Sequence, residues 1–147
     1  MSKKLFLLPA LMVFAAIFFT VSCGEDTTCD IVQSDFTGQY SVVEDCSTSA
    51  PAAYNVTISA GTTDSEVLMA NVWDSFAAAV KATIDCETIT IARQEPDGDK
   101  YFIEGNGILE KRDNNVTVIT ISYTVKDETD PANIKTDACS QTIYTKL

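Results

Sequence analysis

The feature that most constrains the fold is a series of short segments in which apolar and polar residues alternate. The clearest of them covers residues 119–125, where the apolar members are Ile119, Ile121, Tyr123 and Val125, with Thr and Ser between them. A period of two places the apolar side chains on one face of a β-strand. Similar segments recur between turn signals such as Glu95-Pro96-Asp97-Gly98, so we predict an all-β protein.

Eight strands account for these segments, with one brief helical turn near Trp73 and Phe76. The predicted strands cover residues 37–45, 54–58, 66–72, 80–84, 88–92, 101–111, 119–125 and 140–146. In the long sixth strand, Gly105 and Gly107 share a face with Ile103 and Leu109, which predicts a bend. Most connections have hairpin length, and closing the sheet removes its exposed edges. We therefore predict one antiparallel up-and-down barrel over residues 36–147.

Four cysteines in this region, Cys29, Cys46, Cys86 and Cys139, predict two disulfides in an exported chain. Three pairings are open until the strands are placed. In an up-and-down barrel, Cys46 and Cys139 lie at one end, whereas Cys29 and Cys86 lie at the other. The other two pairings would join opposite ends, far beyond the Cα separation of about 7 Å that a disulfide allows. We therefore expect Cys46–Cys139 and Cys29–Cys86.

The first 22 residues have the pattern of a cleaved export signal. Lys3 and Lys4 precede an uncharged apolar run over residues 5–21, and small residues follow it. The sequence Thr20-Val21-Ser22-Cys23 resembles the lipobox of bacterial lipoproteins. This resemblance implies removal of residues 1–22 and attachment of lipid to Cys23, with residues 23–35 as the lipidated tether. The alternative is a transmembrane anchor with a chance cysteine.

An acidic run follows the proposed lipidation site. Gly24-Glu25-Asp26 resembles the surface-export signal of Bacteroidota lipoproteins, although an ordinary polar tether explains it equally well. We expect a lipid-anchored protein of the outer membrane, on its periplasmic or cell-surface face. The membrane is then a partner through the lipid on Cys23.

The amino-acid composition excludes some classes of function for this chain. The chain has no histidine, which excludes Ser-His-Asp and Cys-His catalysis. Its net charge is −11, and loss of Lys3 and Lys4 with residues 1–22 lowers the charge by two more, to −13. Such a charge opposes binding to nucleic acid. We expect a non-enzymatic protein without a cofactor and without a nucleic-acid partner.

The start of the first strand carries a second resemblance. Phe36-Thr37-Gly38-Gln39-Tyr40 is similar to the Gly-x-Trp opening of lipocalins, with Tyr40 in place of Trp. Together with the meander of about eight strands, it makes the chain resemble the small lipocalin-like lipoproteins of Bacteroidota. The resemblance implies a barrel with an interior that can hold a ligand.

Five aromatic residues are candidate ligand contacts, because they combine apolar area with a polar tip. They are Tyr40, Tyr54, Trp73, Tyr101 and Tyr123. The alternative is that they belong to a filled core, since a barrel of eight strands is just wide enough for either. Asp97-Gly98-Asp99 has oxygen ligands that suit calcium, but a hairpin turn explains the same residues. Glu44 and Asp45 point to opposite faces of a strand, which argues against shared acid–base chemistry.

The leading functional hypothesis is a lipid-anchored module of the cell envelope that binds a small apolar or amphipathic ligand inside the barrel. The alternative is an interaction subunit with a solid core whose acidic surface docks another envelope protein. An aromatic-lined cavity favours the first hypothesis, and a packed interior favours the second.

Overall fold

The computed structural model describes residues 29–49 and 51–147, except for the side chain of Asn114. The predicted signal peptide, Cys23 and the acidic run after it lie outside these residues. The described chain is almost entirely β-structure. Its strands are Gly38–Glu44 (β1), Ala52–Ala60 (β2), Glu66–Ala70 (β3), Val80–Asp85 (β4), Thr88–Gln94 (β5), Tyr101–Lys111 (β6), Thr117–Asp127 (β7) and Lys135–Lys146 (β8). Short helical pieces are Gln33–Phe36 (α1) and the 3₁₀ turns Val72–Asp74 and Asp113–Asn115.

The eight strands form a closed antiparallel barrel in which each strand pairs with its neighbour in sequence. Closure is made by β1 and β8, where residues 40–43 pair with residues 146–143. This arrangement confirms the predicted fold class. Because every strand has two partners, no backbone edge is left open along the barrel.

Alternation along the strands separates a buried interior from a mostly polar outer wall. In β7, Ile119, Ile121, Tyr123 and Val125 are buried, and Ser122 between them is exposed. The inward side chains of all eight strands belong to one continuous buried cluster. The barrel core is therefore a single packed interior, as the period-two pattern predicts.

The two glycines of β6 lie on its inward face, as predicted, and both are close to β7. Gly105 pairs with Tyr123 and Gly107 pairs with Ile121. A Cβ at Gly105 would overlap the carbonyl oxygen of Ser122, and a Cβ at Gly107 would overlap that of Thr120. Absence of a side chain here allows β7 to approach and leaves interior space for its larger residues.

One end of the barrel, which we call the closed end, is covered by α1. Phe36 is fully buried there, and the Tyr40 hydroxyl donates a hydrogen bond to its carbonyl oxygen at 2.8 Å. The Gln33 side-chain amide donates to the carbonyl oxygens of Thr63 and Glu66, both at 2.7 Å. These bonds fasten the helix across the loop between β2 and β3.

The opposite end, which we call the mouth, carries residues 45–49 after β1 and the loops 71–79, 95–100 and 128–134. The Cys46–Cys139 disulfide lies at this end and continues the β1–β8 seam, with a Cα–Cα distance of 4.1 Å. The Cys29–Cys86 disulfide lies at the closed end, with a Cα–Cα distance of 5.4 Å. The two bonds therefore join the pairs that the strand order predicts.

Several boundaries differ from the sequence prediction. Residues 29–35, predicted as part of the tether, are held at the closed end by Cys29–Cys86 and by α1. The expected helical turn after β3 is a 3₁₀ turn of three residues. The segment 126–137, predicted as a charged loop, is paired at both ends, because β7 extends to Asp127 and β8 begins at Lys135, and the loop is limited to residues 128–134. Within the described residues, none of the helices has the length and apolarity needed to cross a bilayer.

Candidate ligand site at the barrel mouth

The five aromatic residues predicted as ligand contacts occupy three different places. Tyr40 is buried at the closed end, where its hydroxyl is already used to hold α1. Tyr54 and Tyr123 point into the part of the barrel interior that is nearer the mouth, which we call the upper interior. Trp73 and Tyr101 lie at the mouth and are partly exposed. The structure thus brings Trp73 and Tyr101 together and assigns the other three to the interior.

A buried carboxylate organises the upper interior. Glu44 is 4% exposed, and one of its carboxylate oxygens accepts hydrogen bonds from the hydroxyls of Tyr54, at 2.7 Å, and of Tyr123. Burial raises the pKa of both phenols above the ordinary value, and the hydrogen bond to Glu44 adds to this effect. Both phenols therefore remain protonated donors. Glu44 was not predicted as an interior residue, although it shares the parity of Tyr40 and Val42 in β1.

Two further buried hydroxyls belong to the inward face of β8. The hydroxyls of Thr142 and Tyr144 are fully buried and have no hydrogen-bond partner among the described residues. Burial raises the pKa of Tyr144 well above its ordinary value, and nearby Tyr54 and Glu44 raise it further. A buried hydroxyl without a partner costs free energy, so this region is the least satisfied part of the interior.

The buried cluster extends to the mouth through Tyr54. Its hydroxyl accepts a hydrogen bond from the backbone N–H of Trp73 at 3.0 Å while it donates to Glu44. Trp73 has φ 59° and ψ 21°, the left-handed conformation, which is unusual for a bulky residue. Its neighbours Asn71 and Asp74 also have positive φ, and the Asn71 side chain donates to the Asn55 carbonyl oxygen at 2.9 Å. Hydrogen bonds to β2 thus hold a backbone conformation that Trp73 would not favour by itself.

Trp73 lies between two aromatic neighbours. Its ring centroid is 6.0 Å from that of Tyr101 and 5.7 Å from that of Phe76, with tilted rings in both pairs. Two cavities are lined by both Trp73 and Tyr101. The first, of about 280 Å³, also contacts Phe76, and the second, of about 240 Å³, also contacts Val125 and Lys135. The aromatic pair is therefore accessible from two sides.

Carboxylates surround these cavities, and the bonds they make are local. Asp97 accepts hydrogen bonds from the backbone N–H groups of Ala77 and Ala78, at 3.0 and 2.6 Å. Asp137 accepts from the backbone N–H of Thr48 at 2.8 Å and from the Ser49 hydroxyl at 2.6 Å. Burial raises the pKa of Asp137, but these hydrogen bonds outweigh that effect and hold the pKa below its ordinary value. Both acids position loops of the mouth, and their carboxylates lie beside the cavities.

Neither of two potential metal sites has a free set of ligands. Both oxygens of Asp97 are engaged by backbone N–H groups, and Asp99 accepts from the N–H of Tyr101 at 3.2 Å, as expected for a turn. Glu44 lies within 4.8 Å of Cys46 and Cys139, but their sulfurs are bonded to each other. At these two places the geometry favours structural roles.

Comparisons with known proteins identify no relative of this chain. Protein-family models, curated proteins and solved structures were compared with the chain, and none of them matches it.

Proposed function

We propose that this chain is a lipid-anchored protein of the cell envelope that binds a small amphipathic ligand at the mouth of its barrel. The observation that carries the proposal is Trp73, held in a left-handed conformation with its partly exposed ring against Tyr101 and two cavities. Strained residues that the surroundings hold in place are concentrated at binding and active sites. An aromatic pair offers apolar area and a polar tip to a ligand of mixed character.

The mouth is a better place for the ligand than the barrel interior. The inward side chains of the strands form one packed cluster, and Tyr123 and Ile121 fill the space opposite the two glycines of β6. The cavities at the mouth, of about 240 and 280 Å³, are slightly smaller than typical sites for drug-sized ligands. We therefore propose a compact ligand, or one short apolar segment of a larger ligand.

The charge around the cavities favours a cationic head group. Asp97 and Asp99 line the first cavity, and Asp127 and Asp137 line the second beside one cation, Lys135. A positive group over an aromatic face gains about 0.5–2 kcal/mol, and Trp provides the best face for it. An amphipathic amine or quaternary ammonium compound suits this combination of rings and carboxylates.

Trp73 is the only tryptophan of the chain, so its fluorescence reports directly on the mouth. Titration with octyltrimethylammonium, below its micelle concentration, is expected to change this fluorescence in a saturable manner. Octyl glucoside should bind more weakly, and octyl sulfate most weakly, because its head group has the charge of the surrounding carboxylates. Absence of a saturable change with all three probes would contradict the proposed site.

Tyr101 and Phe102 provide a matched pair of variants. The two residues are adjacent in β6 and are both partly buried, but only Tyr101 contacts Trp73, whereas the Phe102 ring lies against Arg93. Tyr101→Ala should weaken binding of the ammonium probe about tenfold, the loss of roughly 1.4 kcal/mol of aromatic contact. Phe102→Ala should leave binding unchanged. Equal effects of the two variants would place the ligand elsewhere.

The lipid anchor is tested separately from the ligand. Support for it comes from the sequence Thr20-Val21-Ser22-Cys23 after an apolar run. With two or three acyl chains, each methylene contributes about 0.8 kcal/mol, so attachment is effectively permanent. Expression in a bacterial host should place the chain in the membrane fraction, and Cys23→Ala should release it. Retention of the Cys23→Ala variant in the membrane would exclude this mode of anchoring.

A further inference from the structure

We infer that the barrel stands with its closed end towards the membrane and presents the mouth, with Trp73, away from the lipid surface. The inference rests on the proposed anchor at Cys23 and adds the orientation of the domain. The observation that carries it is the Cys29–Cys86 disulfide, which fixes the start of the described chain to the turn between β4 and β5 at the closed end.

The length of the tether decides between the two upright orientations. Only six peptide units separate Cys23 from Cys29, and a fully extended chain of that length spans at most about 20 Å. The longest hairpin, β6 with β7, has eleven residues in each strand. At about 3.3 Å per residue and a tilt near 40°, such strands give a barrel roughly 25–30 Å tall. With the mouth downward, Cys29 would be farther from the membrane than the tether reaches.

The closed end also exposes apolar side chains that suit contact with a lipid surface. Val32, Val116 and Leu147 are 56%, 38% and 73% exposed. They belong to one region, because Asp35 of α1 forms an ion pair with Lys111 at 2.9 Å and its carbonyl oxygen accepts from Lys146 at 3.1 Å. Lys111 precedes the loop that carries Val116, and Lys146 precedes Leu147. The occupant of this surface is therefore the membrane into which the lipid on Cys23 inserts.

A barrel lying on its side is the competing arrangement. Val43 and Ile143 form a cross-strand pair on the outer wall and are 57% and 41% exposed, so the wall also has apolar side chains. The tether is long enough for this arrangement. A test must therefore compare the closed end, the wall and the mouth.

Three positions of almost equal exposure allow this comparison. Val32 at the closed end is 56% exposed, Val43 on the wall 57%, and Ile134 in a loop of the mouth 52%. In a Trp73→Phe background, Val32→Trp, Val43→Trp and Ile134→Trp each give a protein with one tryptophan. The lipidated full-length chain is reconstituted into phosphatidylcholine vesicles, with or without a nitroxide on the lipid head group, and the ratio of fluorescence is measured.

We expect severalfold stronger quenching of tryptophan at position 32 than at position 134, with position 43 close to position 134. Unsubstituted Trp73 should also be unaffected by the nitroxide. Strongest quenching at position 43 would show a barrel on its side, and equal quenching at all three positions would show no fixed orientation. Either result overturns the inference. Failure of the anchor is recognised separately, because the protein then does not float with the vesicles.

Discussion

At the scale of single residues, the β6 glycines allow β7 to lie close to β6. Gly105→Ala places a methyl group against the Ser122 carbonyl and the Tyr123 side chain, and backbone atoms cannot give way cheaply. We expect a loss of about 3 kcal/mol or more in the free energy of unfolding, as for other overpacked sites. Asn106→Ala, at an exposed position on the outer face between the two glycines, should stay within about 0.5 kcal/mol of the parent protein. Urea unfolding followed by circular dichroism measures both, and an equally mild effect at Gly105 would contradict this account of the close approach of β6 and β7.

Tyr54 is the residue that connects the interior to the mouth. Tyr54→Phe removes one donor from Glu44 and the acceptor of the Trp73 N–H, so we expect destabilisation by about 1–3 kcal/mol. It should also shift the emission of Trp73, because the left-handed conformation loses its support. Tyr40→Phe is the control: its hydroxyl bonds Phe36 at the closed end, so stability falls by about 1 kcal/mol without a change in emission. Unchanged emission of the Tyr54→Phe variant would show that Tyr54 does not hold Trp73.

At the scale of elements, the seam between β1 and β8 is a short pairing of two strands that no hairpin connects, because they lie at opposite ends of the described chain. It has four paired residues on each strand, whereas β6 and β7 pair over eleven. The Cys46–Cys139 disulfide continues this seam at the mouth and joins residues 93 apart in sequence. The seam is therefore where the barrel opens first when the disulfide is removed.

This gives a prediction for the double variant Cys46→Ser/Cys139→Ser. The chain-entropy argument gives a loss of about 4 kcal/mol for a closed loop of this length. Amides of β1 and β8 should exchange with solvent faster than amides of β6 and β7, because without the disulfide the short seam has no covalent connection nearby and opens locally. The matched variant Cys29→Ser/Cys86→Ser should lose a similar free energy of unfolding, but the amides of the β1–β8 seam should remain protected from exchange. Uniform acceleration of exchange across all eight strands in the first variant would contradict this order of opening.

The strand pattern shows which parts of the molecule the sequence can predict. The alternation of Ile119, Ile121, Tyr123 and Val125 identifies a buried face without any knowledge of partners, and the strand order then determines which cysteines meet. The conformation of Trp73 depends instead on the Tyr54 hydroxyl, 19 residues earlier in sequence, so no local pattern reveals it. Glu44 is two residues after Val42 and four after Tyr40, so the alternation in β1 indicates that its side chain points inward. A charged residue at the end of a strand is more often exposed, however, and the sequence alone does not favour the buried position.

At the scale of the whole molecule, the interior is built around phenols that must keep their protons. Tyr40, Tyr123 and Tyr144 are almost fully buried, and Tyr54 is partly buried beside Glu44. Burial, the largest cause in each case, raises the pKa of all four above the ordinary value near 10. The folded state therefore binds these protons more tightly than the unfolded state. The stability that they contribute is complete below about pH 10 and is lost as the pH rises beyond it.

We therefore expect a steep loss of stability in alkali, up to about 1.4 kcal/mol per pH unit for each of the four phenols. The urea concentration at the midpoint of unfolding should stay constant from neutral pH to about pH 10 and then fall. Apart from the contribution of Tyr101, which is partly exposed at the mouth, phenolate absorbance should rise together with unfolding, because the buried hydroxyls ionise only when the barrel opens. Tyr123→Phe should make the fall less steep, whereas Phe102→Ala, on the outer wall, should leave its slope unchanged. Gradual appearance of phenolate from more than one tyrosine in a barrel that stays folded would show that the interior admits water and hydroxide. That result would contradict the packed core.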